Sequence, residues 1–101
     1  MKEDTFNRKD IARSISDATG YKMSDIEEIL ELEGKAIGEA LAQGYNVKNH
    51  KWWKLELEKR PEKKAWDGFK KTYFIQPESY VVKFKQLSLL KKAIERYNEK
   101  E

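Results

Sequence analysis

A chain of 101 residues that is 39% charged and 39% hydrophobic, with a net charge of +3, has the size and polarity of one small domain, taken as residues 1–101. No apolar run approaches the ~20 residues of a membrane span, and no signal peptide opens the chain. With no cysteine and a single histidine, His50, the sequence offers no disulfide, no thiolate or multi-histidine metal site and no serine–histidine triad, and so no ground for an enzyme, a cofactor or a small-molecule substrate.

After a polar lead-in at residues 1–5, the spacing predicts a first helix over Arg8–Thr19. Asn7 suits its N-cap, with Asp10 at the third helical position and Phe6 and Ile11 placed as a hydrophobic staple. Ile11, Ala12, Ile15 and Ala18 share one face, and Gly20 ends the helix. A second helix is predicted over about Ser24–Gln43. Ser24 and Glu27 form a candidate capping box, Lys22 is an alternative start, and Gly44 closes the helix. Gly34 and Gly38 lie inside it; they signal either close approach of another helix or simple tolerance.

The period then changes from helical to alternating. Trp53, Leu55 and Leu57 alternate with charged residues and predict a strand over Trp53–Glu58. Pro61 interrupts pairing, and residues 61–71 are polar and basic, with a turn signal at Asp67-Gly68. Thr72–Gln76 returns as a strand, with a register open by one residue. Pro77-Glu78-Ser79 is a break, and a third strand follows over Tyr80–Lys85. Leu87, Leu90, Ile94 and Tyr97 mark a last short helix within about residues 86–98. The class is α+β: two N-terminal helices, three antiparallel strands and a short C-terminal helix. Ile37, Leu55 and Phe84 are the expected buried positions.

Charge is uneven along this order. Residues 1–44 hold 6 Lys/Arg against 10 Asp/Glu, whereas residues 45–101 hold 15 Lys/Arg against 8 Asp/Glu. A basic part beside an acidic one points to a polyanionic partner, although a solvated charged surface has the same composition.

This order resembles the bacterial histone-like HU and integration host factor family over about Phe6 to Ile94. The resemblance is carried by Asn7-Arg8-Lys9-Asp10-Ile11 at the first helix start and by Ala18-Thr19-Gly20 at its end. It continues in Ala40-Leu41-Ala42-Gln43-Gly44, in Pro77 to Lys85, and in Leu90-Lys91-Lys92-Ala93-Ile94. It implies an intertwined homodimer. In that arrangement the helical region, about 6–44, forms the base, the sheet of about 45–85 lies above it, and the β-ribbon arms within that stretch embrace DNA. It also implies a cytoplasmic, nucleoid-associated protein of bacterial or bacteriophage origin. In that family minor-groove binding kinks the duplex with apolar wedges. Three departures stand out. The family's Gly-Phe-Gly turn is Lys51-Trp52-Trp53, its arm tip Arg-Asn-Pro is Trp66-Asp67-Gly68, and one arm arginine is Glu58, while Arg60 and Lys63 keep the basic character.

On that arm Lys59, Arg60, Lys63, Lys64, Lys70 and Lys71 flank the turn as candidate phosphate contacts, with Lys83 and Lys85 extending the track along the body. The same lysines also serve an arm that must stay solvated and unpaired. Trp66 and Phe69 flank the tip and either insert into or stack on bases, or fold back on the arm or into a dimer contact. At least one of Trp52 and Trp53, at the arm root, reads as core or dimer interface, and His50 as a turn or sheet-edge residue rather than a ligand. The implied function is an architectural protein that binds double-stranded DNA with little sequence preference and bends or compacts it. The alternative is an interaction module on the same scaffold, pairing with a host HU-like subunit as a heterodimer or with another protein, and no longer bending DNA. Glu58, Asp67 and the lost proline favour that alternative.

Overall fold

The structure, a computed structural model, describes residues 4–100; the first three residues of the expected lead-in lie outside the described residues. Eight elements follow in order: α1 (Arg8–Thr19), α2 (Met23–Ala42), β1 (Val47–Asn49), β2 (Trp53–Arg60), β3 (Lys63–Asp67), β4 (Thr72–Gln76), β5 (Ser79–Gln86) and α3 (Ser88–Lys100). They fall into two compact units divided after Glu39.

In the first unit local chemistry fixes the ends of α1. The Asn7 side chain accepts from the Lys9 and Asp10 amides at 3.1 and 3.3 Å, and the Asp10 carboxylate accepts from the Asn7 amide at 3.0 Å. This reciprocal box occupies donors that the helix itself leaves open. Gly20 adopts φ 81° and donates to the Ser16 carbonyl at 2.7 Å, a left-handed stop in which a side chain would be strained. The start of α2 differs from expectation. The Ile26 amide reaches the Lys22 carbonyl at 3.1 Å, so Lys22 precedes the helix and Ser24 lies within its first turn. The predicted Ser24–Glu27 box therefore does not form. A Cβ added at Gly34 or Gly38 would meet nothing within 4 Å, so no described residue makes a close approach at these glycines.

The second unit opens on a Schellman stop. Gly44, at φ 93°, donates to the Leu41 carbonyl and Tyr45 donates to that of Ala40, both at 3.0 Å. An antiparallel sheet follows in the order β1-β2-β5. Its third strand is β1, not the predicted Thr72–Gln76 segment. That segment is β4, paired with β3 in a separate two-stranded ribbon. β1 has three residues, too few to show alternation. Asn46 prolongs its edge by accepting the Leu57 amide on its side-chain oxygen at 2.9 Å. His50 is a turn residue as expected, at φ 50° in the β1–β2 connection. That connection also holds α3. The Lys51 carbonyl accepts the Leu89 amide at 2.9 Å, filling the role of a missing side-chain cap.

Paired residues share a face. Leu55 opposes both Val47 and Phe84, and Leu57 opposes Val82, so one face of the sheet is apolar. Lys54 opposes Lys85 and Glu56 opposes Lys83, so the other is charged. Ala12 and Ile26 are the buried apolar residues among those described. Ile37 and Leu55 are half-buried, but Phe84, expected in the core, is 54% exposed. The alternation put Phe84 on the same face as Leu55, but Phe84 and Val82 stay exposed there.

Candidate nucleic-acid interface

The ribbon is set apart by two proline steps at one level. The sheet ends at the pair Arg60–Ser79, and the ribbon begins at Lys63–Gln76. Between them each strand carries one Pro-Glu step, Pro61-Glu62 and Pro77-Glu78. Proline has no amide hydrogen to give to a ladder, so pairing lapses on both strands together. A hollow lined by Arg60, Pro61, Lys63, Gln76, Pro77 and Ser79 lies at this break.

The tip is organised by Asp67. Its carboxylate oxygen Oδ1 accepts the Phe69 amide at 2.9 Å and the Lys70 amide at 3.2 Å, and Lys71 closes the turn at φ 53°. Asp67 is thus a turn-forming group, which explains an acid at the centre of a basic tip. Phe69 stands clear of the turn, fully exposed. Trp66 does not stand free. It opposes Tyr73 across the ribbon, with ring centroids 5.0 Å apart at 66°, and the Lys64 ammonium lies 4.7 Å from the Tyr73 centroid. The register puts Lys64, Trp66, Tyr73 and Ile75 on one face, and Lys63, Ala65, Phe74 and Gln76 on the other.

The ten residues singled out from the sequence separate into groups. Arg60, Lys63, Lys70, Lys71 and Lys83 have no carboxylate partner among the described residues. Lys59 is paired with Glu78 at 3.2 Å and lies on the apolar side of β2, opposite Tyr80, whereas Arg60 lies on the charged side. Lys85 is paired with Glu56 at 2.5 Å, and Lys54 approaches the same carboxylate at 3.5 Å. The hydrogen bond from Lys85 holds the Glu56 carboxyl below the usual glutamate range; partial burial opposes it, and the charges of Lys85 and Lys54 add to it. Tyr73, Glu56 and Glu78 were missed in the sequence because their roles depend on strand register.

A pH dependence follows. A carboxyl with a depressed pKa in the folded state contributes stability above its unfolded pKa and loses it as pH falls through the folded value. Acidification below the ordinary glutamate range therefore frees Lys85 and Lys54. Glu56→Gln is expected to mimic this at neutral pH: duplex affinity at low salt rises and the salt dependence steepens by about one unit for each lysine released toward phosphate. Titration of a labelled duplex at several salt concentrations measures both.

Among the described residues no helix is long and apolar enough to cross a membrane, and no group of three or more His, Cys, Asp or Glu side chains is arranged to hold a metal ion. Residues 6–95 match the model of the bacterial DNA-binding protein family. The chain belongs to this family, that of the HU proteins. Its fold is similar to the protein of an Anabaena HU–DNA cocrystal structure, with a TM-score of 0.73 and 15% identity, over 87% of this chain and 96% of that one. It is also similar to a crystal structure from Bacteroides vulgatus ATCC 8482, with a TM-score of 0.66 and 22% identity, over 94% of this chain and 38% of that one. No curated protein matches in sequence. A paired ribbon, β3 with β4, stands where the resemblance implied an arm, and this family member carries a phenylalanine beyond an Asp-Gly turn at its tip.

Proposed function

We propose that this HU-family chain is a dimeric architectural protein that grips double-stranded DNA with its ribbons, with little sequence preference, and bends it. One observation supports this above the others: the ribbon presents uncompensated cations, Lys63, Lys70 and Lys71, on both sides of a fully exposed Phe69. Lysines act as point charges on phosphates and read no base edges, so affinity is nearly sequence-independent. The Phe69 ring supplies the apolar wedge. Burial supports the dimer. With Ala12 and Ile26 the buried apolar residues among those described, and Tyr80, Val82 and Phe84 exposed on one sheet face, a second copy, or another HU-like subunit, is the natural cover for that face. Such a protein acts in the cytoplasm on the nucleoid and requires no catalysis.

The test is salt dependence. Each lysine removed from a phosphate contact lowers the log–log salt slope by about one unit per engaged arm. The triple variant Lys63→Gln, Lys70→Gln, Lys71→Gln is thus expected to lose about three units if one arm engages and about six if both do, equally on unrelated duplexes. An unchanged slope removes the ribbon from the interface. It then favours the interaction-module reading, which the capture of Lys59 by Glu78 and of Lys85 by Glu56 supports.

A further inference from the structure

The ribbon exposes more aromatic surface than a wedge needs. Trp66 is 55% exposed although it touches Tyr73, and Tyr73 is itself exposed. Apolar area in solvent at the end of an arm marks a contact surface. Its occupant is indicated by what surrounds it. Lys63, Lys64, Lys70 and Lys71 crowd the same short ribbon, and the one acid there, Asp67, is committed to two turn amides. A cationic setting favours a polyanion over a second copy of an equally cationic ribbon. A polyanion that also offers flat apolar faces is a nucleic acid strand with unpaired bases.

The rings are ordered in advance. Lys64 covers part of the Tyr73 ring, and Tyr73 meets the indole at 66°. This fixes Trp66 without covering it. Fewer rotamers are then lost when a base arrives. We propose that Trp66 is a stacking platform for an unpaired nucleobase, so that the ribbon binds single-stranded stretches of DNA in addition to duplex. Lys64 and Tyr73 are its positioning residues, and the lysines beside it take the phosphates of the strand. The inference rests on the ribbon being the DNA-contacting element, and it assigns to Trp66 a ligand different from the groove that Phe69 enters.

Binding of a 20-nucleotide oligothymidylate and of a 20-base-pair duplex, followed by tryptophan emission and by anisotropy of the labelled DNA, tests it. The wild type is expected to bind both, with emission quenched by the single strand. Stacking on an aromatic side chain contributes roughly 5- to 150-fold in affinity per base, so Trp66→Leu is expected to weaken oligothymidylate binding by about tenfold or more. The ratio of single-strand to duplex affinity falls with it. Trp66→Phe keeps a ring at the same register; it is expected to restore most of the affinity while losing the quench. Four results overturn the proposal. The first is duplex binding without oligothymidylate binding, which leaves the duplex reading standing. The second is an equal loss on both DNAs in Trp66→Leu with no rescue by phenylalanine. The third is a lower native mass in Trp66→Leu with oligothymidylate affinity intact, which assigns the face to a second copy. The fourth, failure to bind either DNA, overturns the duplex reading as well.

Discussion

Leu55→Asp is expected to abolish the dimer and the cooperative thermal transition together. Leu55 sits at the centre of β2, flanked on the apolar face by Val47 on one side and Phe84 on the other. It is already half-buried in one chain, and in the proposed dimer a second copy supplies the remaining cover. A carboxylate there has no cation on its own face nearer than Lys59, four residues along the strand. Leaving a buried charge uncompensated costs about 3–5 kcal/mol, in a domain whose entire stability is about 5–15 kcal/mol. A dimer carries the lesion twice. Leu55→Ala provides the graded comparison: loss of packing without a charge costs about 2–5 kcal/mol and is expected to lower the melting temperature while some dimer persists. Circular dichroism melting with light scattering at micromolar protein distinguishes these states. A wild-type chain that scatters as a folded monomer, or a Leu55→Asp chain that melts normally, would remove the second copy from the folding argument.

The parts of the fold that were legible are those with a local chemical cause. Asn7 and Asp10 can satisfy each other's amides within one turn, and Gly20 and Gly44 can take a left-handed backbone without a side-chain clash. These signals need no distant partner, so α1 was legible to the residue. β3 is the opposite case. Lys63-Lys64-Ala65-Trp66-Asp67 has no alternation and poor strand composition; it is extended because Thr72–Gln76 lies opposite and supplies the ladder. The start of α2 was ambiguous for a local reason, since Lys22 and Ser24 both stand before a helical period and the amide of Ile26 selects the former. In the site the same division holds. The cations were visible as residue types, but their engagement was not. Glu56 captures Lys85 diagonally from the Lys83 position it faces, and Tyr73 meets Trp66 only in the observed register. Phe84 shows the limit of pattern reading: period two gives the face, and nothing in one chain's periodicity says whether that face is covered by the same chain.

Phe69→Ala is expected to straighten the bound duplex while leaving most of the affinity. The tip lacks a proline, and Gly68 has no side chain to insert. Of the two large apolar residues beside the turn, Trp66 is engaged by Tyr73, whereas Phe69 is fully exposed beyond amides fixed by Asp67. Burying a phenyl ring gains about 1.5–3 kcal/mol. Unstacking a base step costs a few kcal/mol. The two nearly cancel, so removing both leaves the net affinity to the lysine–phosphate contacts, which the substitution does not touch. The shape of the DNA has no such cancellation, because without an inserted ring the step restacks. Energy transfer between dyes at the two ends of a short duplex, read at saturating protein, is expected to drop toward the free-duplex value for Phe69→Ala, with affinity changed by less than about tenfold, or 1.4 kcal/mol. Asp67→Ala tests the platform separately: losing the oxygen that holds the Phe69 and Lys70 amides loosens the turn and is expected to reduce the bend part-way. A wild-type protein that leaves the duplex straight would transfer weight to the interaction-module reading. A Phe69→Ala protein that bends as the wild type does would place the origin of the bend in asymmetric phosphate neutralisation along the charged sheet face, where Lys83 has no carboxylate partner among the described residues and Lys85 becomes available once Glu56 lets it go.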